Sequence, residues 1–326
     1  MSQTKFSTGC VIGTGMMGPG IALTLALGGV RTTLLSRTPE GADRGLARAQ
    51  FQAQVLVENE LYSRDDAARA LERIETSTDF EYSISRAGLV IESGPEEMAW
   101  KQDLFARMDA VARPEAVLAS NTSGLSITAI ASRCGRPERV VTTHFWNPPN
   151  LMPLVEIVQG NRTSAEVVEA VRELLAWCGK SPVVVKIDRP GQLGNRLQMA
   201  LVREAANIVA EGIADAEAVD TVIKDGLGLR MPAYGVFEHM DVAGLDLALR
   251  VMEYVTGDLY NEPRAPEYLR ELVRTGNLGA KTGLGFHDWS RKNADSVRAE
   301  RDAFLVEVLQ YRRRRREDDR KKRATD

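Results

Sequence analysis

The chain has 326 residues, enough for two domains that each bury a core. Hydrophobic residues make up 44% and charged residues 27%, as in a soluble globular protein, and the net charge of −3 gives no overall attraction to nucleic acid or membranes. No apolar run approaches the roughly 18 residues that a membrane span needs.

A glycine-rich turn follows the first apolar run of the chain. Gly13, Gly15 and Gly18 form G-x-G-x-x-G, and an apolar segment compatible with a helix comes next. The first glycine permits a tight turn, the second lets a pyrophosphate approach the backbone, and the third lets helix and strand pack closely. The turn, which includes Met16 and Met17, therefore predicts a dinucleotide site. The alternative is an ordinary glycine-rich loop.

Strand-like runs alternate with helical stretches over about the first 190 residues. The runs lie at 9–12, 31–35, 88–92, 116–120, 139–144, 154–158 and 182–186, and clear helical spacing occurs at 97–111 and 164–177. This alternation predicts a doubly wound, mostly parallel sheet with helices on both faces. Ligands of such a sheet bind at the carboxyl ends of its strands.

The pattern changes after a predicted linker at 188–191. Helical segments follow at about 196–211, 216–224 and 247–255, and a loop-rich stretch ends the region. We therefore expect a dinucleotide-binding domain over 1–189, a helical domain over 190–290 and a charged tail over 291–326. A helical domain of about 100 residues cannot easily bury all its apolar faces, so we expect it to pack on the first domain or to form a homodimer.

The tail combines a weak apolar stripe with many basic residues. Val297, Phe304, Val308 and Tyr311 have helical spacing, and five arginines occupy 312–316. Such a run could bind nucleic acid or another acidic partner. Acidic residues at 317–319 interrupt the basic run, so a solvated helix end is favoured and nucleic-acid binding is not expected.

The cysteines and the N-terminus favour a cytoplasmic location. Cys10, Cys134 and Cys178 are odd in number and far apart, so they predict no disulfide framework and no C-x-x-C pair. The N-terminus lacks a basic segment followed by an apolar stretch, so no secretory signal is expected. No metal site is predicted.

Four polar residues stand where the predicted sheet and the second domain offer a site. His144 ends a strand-like run, and Glu156 lies twelve residues later on or beside the next run. A histidine oriented by a carboxylate can act as a general base near neutral pH. Ser123 follows another strand and could donate to a substrate oxygen or cap a helix, and Asn195 opens the first helix of the second domain.

Several motifs in order resemble the L-3-hydroxyacyl-CoA dehydrogenase family, including its lambda-crystallin/gulonate dehydrogenase branch. The resemblance runs from about residue 8 to residue 287. It is carried by GTGMMGPGIA at 13–22, SNTSGLSIT at 120–128, HFWNPPNLMPLVEIV at 144–158, PGQLGNRLQ at 190–198, GVFEHMDVAGLD at 235–246 and GNLGAKTGLGF at 276–286. It implies a Rossmann-type α/β domain followed by an all-helical C-terminal domain, and we expect the homodimer to form through the latter.

The resemblance also implies roles for particular residues. His144 matches the base that removes the hydroxyl proton, and Glu156 matches its carboxylate partner. Ser123 and Asn195 match residues that hydrogen-bond the developing carbonyl. Two further residues match positions beside the cofactor, although a surface ion pair would also explain them: Glu96 and Lys101.

The end of the second strand departs from an NAD site. An Asp or Glu about 20 residues after the glycines usually binds the ribose hydroxyls, but Ser36, Arg37 and Thr38 occupy this place. These side chains can donate to a 2′-phosphate, so we expect NADP to be accepted beside or instead of NAD. The alternative is that Arg37 stacks on adenine and NAD still binds.

A second departure concerns coenzyme A. Acyl-CoA members commonly offer basic side chains after the second strand, yet residues 49–63 contain no Lys or Arg, and Gln192 replaces a usual aromatic residue. A short L-3-hydroxyacyl-CoA remains the expected substrate, with a small hydroxy acid or hydroxymethyl compound lacking CoA as the alternative. The non-enzymatic alternative is a structural protein that binds the nucleotide.

Overall fold

A computed structural model describes residues 5–325, without the side chains of 316, 317 and 319–325. The described residues form two compact units. The first unit comprises the described residues up to Arg196 and those from Arg301 onward, and the second is Leu197–Glu300. The first unit therefore extends past the predicted linker at 188–191 and also takes in most of the predicted tail.

The first unit is built on one eight-stranded sheet. Its strands are β1 (Thr8–Ile12), β2 (Arg31–Leu35), β3 (Ile74–Ser77), β4 (Leu89–Glu92), β5 (Val117–Ser120), β6 (Val140–Phe145), β7 (Leu154–Val158) and β8 (Ser181–Val185). They lie in the order β3-β2-β1-β4-β5-β6-β7-β8. The first six strands of this order are parallel, β7 is antiparallel to β6, and β8 is parallel to β7. The prediction of a mostly parallel sheet is confirmed.

Helices cover both faces of this sheet. They are α1 (Gly18–Leu27), α2 (Pro39–Glu58), α3 (Arg64–Leu71), α4 (Phe80–Arg86), α5 (Met98–Val111), α6 (Ile127–Ile130) and α7 (Ala165–Trp177). One apolar cluster joins the sheet to α1, α2, α3 and α7, and a second joins it to α4, α5 and α6. Two cores on opposite faces are the expected packing of a doubly wound fold.

The second unit is helical, and its only β-structure within 197–300 is a pair of isolated bridges. It holds most of α8 (Gly194–Ala210), then α9 (Ala216–Thr221), a π-helical stretch at Val222–Leu227, α10 (Gly228–Arg230), α11 (Val236–Ala243), α12 (Leu245–Thr256) and α13 (Glu267–Arg274). No described residue of α9 to α13 is buried. Five helices without a buried side chain leave much apolar surface in water.

The chain ends in one long helix, α14 (Ala294–Thr325). Its packing face differs from the predicted stripe, because Phe304 and Tyr311 are more than half exposed while Val306 is buried in the first core. Gln310 and Arg313, on the Val306 side, donate to main-chain carbonyls just after α2. The described part of the arginine run, 312–315, is exposed, as a solvated helix end predicts, although Arg313 also bonds to the loop after α2. The side chains of 316 and 320–323 lie outside the described residues.

The topology sets where a ligand binds. The strand order reverses at β1, whose neighbours β2 and β4 lead to opposite edges of the sheet. A doubly wound sheet binds its ligand outside the carboxyl ends of the strands at this point. The carboxyl end of β6 lies on the same edge, two strands beyond β4. In the part of the chain that is described, no helix is both long and apolar enough to cross a membrane.

Candidate active site

His144 and Glu156 form a buried pair across two neighbouring strands. They are direct partners in the antiparallel register of β6 and β7, so their side chains share one face of the sheet. His144 Nδ1 lies 2.8 Å from Glu156 Oε2. Nε2 of the same ring has no hydrogen-bond partner among the described residues. The pairing fixes the ring and leaves Nε2 available to exchange a proton with a substrate.

The Glu156 carboxylate is held ionised by its donors. The Trp146 indole donates to Oε2 at 3.0 Å, and the main-chain N–H groups of Leu193 and Gly194 donate to Oε1 at 3.0 and 2.8 Å. Burial alone would raise the pKa of this carboxyl, but the hydrogen bonds from His144, Gly194, Trp146 and Leu193 lower it to about 2. A fixed negative charge therefore faces the ring of His144.

Gly194 lets the start of α8 approach the pair closely. A Cβ at this position would lie 2.3 Å from Trp146 Cζ2 and 3.3 Å from Glu156 Oε2. Gly194→Ala should displace the indole. Since we predict that the pair of His144 and Glu156 is catalytic, we expect kcat to fall by about ten- to a hundredfold, because small displacements of catalytic groups are costly. Steady-state kinetics checks this, with Gly257→Ala as the matched control, since nothing lies within 4 Å of a Cβ there. Equal kcat in both variants would contradict the role of this contact.

Ser123 lies in a loop after β5 that is tied down on two sides. Glu96 Oε1 accepts hydrogen bonds from Thr122 Oγ1 at 2.5 Å and from the main-chain N–H of Ser123 at 2.9 Å. Asn195 Nδ2 donates to the Ser123 carbonyl at 2.7 Å, so these two predicted site residues do meet. The Ser123 hydroxyl has no partner in the described part of the chain, and the helix cap is Ser126 instead. That hydroxyl can therefore reach a ligand.

Lys101 occupies a buried position beside the same loop. Its Nζ lies 2.7 and 2.8 Å from the two carboxylate oxygens of Glu92, at the carboxyl end of β4, and 3.5 Å from Glu96 Oε2. Both Lys101 and Glu92 are at most 1% exposed, so the charges compensate each other out of water. The structure places Lys101 and Glu96 as supports of the Ser123 loop, and the alternative of a surface ion pair does not hold for Lys101.

The glycine-rich turn borders a large cleft at the switch point of the sheet. The cleft has a volume of about 1040 Å³, and Gly13 and Gly15 line it. A Cβ on Gly18 would lie 1.8 Å from the Gly13 carbonyl oxygen, whereas a Cβ on Gly15 would meet open space. The third glycine thus closes the turn against the strand, and the second leaves room for a ligand's phosphates. The glycine-rich turn and the cleft beside it therefore fit a dinucleotide.

The lining of this cleft is strongly cationic. Ser36 and Arg37 line the cleft, and Thr38 caps α2 by accepting from the Gly41 main-chain N–H. Four arginines and one carboxylate line the cleft, namely Arg37, Arg44, Arg48, Arg107 and Asp103. The carboxylate is ion-paired with Arg133. Arg44 and Arg48 come from α2, and Arg48 donates to the Gly15 carbonyl at 3.0 Å.

The structure also shows where the two methionines of the glycine-rich turn, two tryptophans and Gln192 lie. Met16 is 64% exposed, and Met17 stands at the N-cap of α1 and packs partly on the core; neither lines the cleft. The sequence does not predict Trp100, which lines the cleft, or Trp146, which holds Glu156. Gln192 is buried and donates to the Thr122 carbonyl at 2.8 Å. In the described residues, no cluster of three or more His, Cys, Asp or Glu is arranged to hold a metal.

Comparison with known proteins covers nearly the whole chain. Residues 9–188 match the family model described as "3-hydroxyacyl-CoA dehydrogenase, NAD binding domain", and residues 191–289 match its C-terminal domain. A probable 3-hydroxybutyryl-CoA dehydrogenase of Bacillus subtilis is 38% identical over 285 residues, which cover 87% of this chain and 98% of that protein.

A relative acting on a different class of compound is also similar. The 5-formyl-3-hydroxy-2-methylpyridine 4-carboxylate 5-dehydrogenase of Mesorhizobium japonicum is 33% identical over 298 residues, covering 91% of this chain and 96% of that protein. A crystal structure of an enzyme of that name, described as an NAD⁺-dependent dismutase, has a TM-score of 0.87 at 31% identity, covering 94% of this chain and 98% of that one. The chain belongs to the 3-hydroxyacyl-CoA dehydrogenase family and is an oxidoreductase of CH–OH groups whose cofactor is NAD.

Proposed function

We propose that the protein reversibly oxidises the 3-hydroxyl of a short L-3-hydroxyacyl-CoA, such as 3-hydroxybutyryl-CoA, with His144 as the general base. The buried pair of His144 and Glu156 is the observation that carries the catalytic assignment. In the forward direction Nε2 takes the hydroxyl proton, and the ionised Glu156 stabilises the imidazolium that forms. Bound NAD supplies the chemistry that the side chains lack, because it accepts the hydride from the carbinol carbon.

The remaining site residues orient the substrate in this proposal. The Ser123 hydroxyl and the second N–H of the Asn195 amide donate to the oxygen that becomes the carbonyl. Their mutual hydrogen bond and the contacts of Glu96 hold them before substrate arrives. Donors fixed in advance lower the cost of stabilising charge on that oxygen.

The acyl-CoA substrate is supported by the family and by relatives such as the Bacillus subtilis protein. A second candidate is a small hydroxy acid or hydroxymethyl compound without CoA. Structural similarity to a dehydrogenase named for a pyridine carboxylate favours this candidate. The TM-score is 0.87, and the match covers 94% of this chain and therefore both of its units.

A substrate panel tests the proposed function. Full-length enzyme with NAD is given L-3-hydroxybutyryl-CoA, free 3-hydroxybutyrate and a hydroxymethylpyridine carboxylate, and NAD reduction is followed by absorbance. We expect kcat/KM for the thioester to exceed that for the other two compounds by at least about a hundredfold, because remote binding energy is used in catalysis. Reduction of NAD by a compound without CoA alone would establish the second candidate instead.

The cofactor cleft leads us to propose that NADP is accepted as well as NAD. Arg37 is exposed at the end of β2, where no carboxylate repels a 2′-phosphate. Arg37→Gln should lower kcat/KM for NADP at least about tenfold through loss of a charge-assisted hydrogen bond, with little change for NAD. Kinetics with both cofactors measures this, and Arg31→Gln, at the opposite end of the same strand, is the control. A strong preference of the unaltered enzyme for NAD would contradict the proposal.

We also propose that the protein is a homodimer joined through its second unit. Phe237 and Val242 on α11 and Tyr254 on α12 are each more than 80% exposed. A second copy would remove these apolar side chains from water. Phe237→Glu should therefore convert a dimer to a monomer in analytical ultracentrifugation. Phe51→Glu, which charges an equally apolar but separate position on α2, should leave the dimer intact. A monomeric wild-type protein would contradict the proposal.

A further inference from the structure

A second cavity lies in the first unit and shares no lining residue with the NAD cleft. Its volume is about 400 Å³, within the range of small-molecule sites. Its walls come from α1, the end of α2, the loop between β6 and β7, the segment before β8, and α14. The proposed function uses none of these walls.

The charged groups of this cavity are all positive. Lys180, Arg312 and Arg313 line it, and no Asp or Glu does so within the described chain. Lys180 Nζ donates to the carbonyls of Pro149 at 2.6 Å and Met152 at 3.0 Å, which carry no net charge. The salt bridges of the described residues include none to Lys180 or Arg312. Of these cations, Lys180 and Arg312 therefore have no carboxylate within salt-bridge distance in the described part of the chain.

The cavity also holds polar groups that an anion would satisfy. Burial lowers the pKa of Lys180 to about 8, an effect that the nearby Cys178 only partly offsets. A buried ammonium regains its ordinary pKa when a negative charge binds beside it. The side-chain amide of Asn150 also lines the cavity, and its buried oxygen has no hydrogen-bond partner among the described residues. Turning that amide presents an N–H to a ligand.

We propose that this cavity binds a phosphate group and that, in the substrate, this phosphate belongs to coenzyme A. The second half of the proposal rests on the proposed acyl-CoA function. Arginine suits phosphate through its forked donors, and a carrier with several phosphates needs such partners. Residues 49–63 supply no Lys or Arg, whereas α14 brings Arg312 and Arg313 to the end of that region, with Arg313 donating to the Glu60 carbonyl at 2.8 Å.

The position of the cavity agrees with one long ligand that serves both sites. Asn150 lies in the loop that joins the strands of His144 and Glu156, six residues after His144. Six residues span at most roughly 20 Å, and the pantetheine arm of coenzyme A is long enough for a separation of this order. Leu56 and Leu309 provide apolar wall for that arm.

A kinetic comparison tests the carrier. The two substrates are 3-hydroxybutyryl-CoA and its N-acetylcysteamine thioester, which has the same acyl group and no phosphate. Arg312→Gln should lower the ratio of kcat/KM for the CoA thioester to that for the short thioester at least about tenfold, mainly through KM. Arg315→Gln removes an equal charge from the same helix outside the cavity and should leave the ratio as in the wild type. A ratio unchanged by Arg312→Gln would overturn the proposal.

Calorimetry separates this site from the proposed function. Full-length protein saturated with NAD is titrated with coenzyme A and, separately, with inorganic phosphate. We expect Arg312→Gln to weaken both ligands at least about tenfold and Arg44→Gln, in the NAD cleft, to weaken neither. If both ligands bind as expected but the enzyme does not oxidise the thioester, the proposed function is refuted and the phosphate site is still supported. Binding of phosphate without coenzyme A would overturn the carrier assignment, and CoA binding unaffected by Arg312→Gln would overturn the site.

Discussion

Replacing His144 by glutamine should lower kcat by at least about a hundredfold, because the reaction loses its general base. Glutamine is similar in size and keeps a polar group beside Glu156, so the fold and NAD binding should persist. Steady-state kinetics with the best substrate of the panel measures kcat. Fluorescence titration with reduced NAD measures cofactor affinity separately.

A second histidine provides the control for this variant. His239→Gln makes the same substitution in the second unit, outside the proposed site, where the ring stacks on Tyr234 with centroids 5.2 Å apart. It should leave kcat within about twofold of wild type, because this half-buried residue has no part in the proposed mechanism. Near-normal turnover in His144→Gln would remove this residue from the mechanism.

Glu156→Gln should reduce kcat by about 10⁴-fold, the loss that follows when the carboxylate that orients a catalytic histidine is replaced by an amide. The amide keeps the shape of the carboxylate but cannot accept all four donors, which are His144, Trp146, Leu193 and Gly194. Single-turnover kinetics separates a slower chemical step from a change in product release. A kcat equal to that of the wild type would show that the ring needs no ionised partner.

The same carboxylate should contribute to acid sensitivity. Its pKa falls from an ordinary value of 4.5 to about 2 on folding, so the stabilisation is complete above pH 4.5 and is lost as the pH falls toward 2. Glu156→Gln lacks this titration, and its free energy of unfolding should fall less steeply over that interval. Urea unfolding at several pH values measures the difference. Parallel curves for the two proteins would contradict the assigned pKa.

Much of the first unit is predictable because its strands are apolar runs of regular spacing. The predicted bounds of seven strands agree with the observed bounds to within one residue at each end. The eighth strand, β3, is not among the predicted runs. That strand is a four-residue edge strand in which only Ile74 is buried, so its hydrophobic signal is weak.

The packing face of the terminal helix α14 is not predictable from its apolar residues. Its apolar stripe and its packing face differ, because Gln310 and Arg313 bond to backbone carbonyls that no side-chain pattern reveals.

In the candidate site, the side chains are predictable from the sequence, but the contacts made by the backbone and by packing are not. His144 and Glu156 are candidates from residue type and position, but only the antiparallel register makes them direct partners. The donors from Leu193 and Gly194 are main-chain groups and have no signal in the sequence. Lys101 resembles half of a surface ion pair at the sequence level. Its burial against Glu92 becomes visible only when α5 is packed on the sheet.

The family match confirms the predicted family, the fold class and the NAD cofactor. It also decides against a structural protein that only binds the nucleotide, because the members are oxidoreductases. The dimer, the acceptance of NADP and the substrate carrier remain proposals that the experiments above address.

Isotope transfer tests the central claim most directly. L-3-hydroxybutyryl-CoA carrying deuterium at carbon 3 is incubated with NAD and the full-length enzyme, and the reduced cofactor is analysed by mass spectrometry. The proposed function predicts one deuterium in the reduced cofactor and slower turnover than with protium, with the D-enantiomer inactive. Failure to reduce NAD, or reduced cofactor without deuterium, would contradict it.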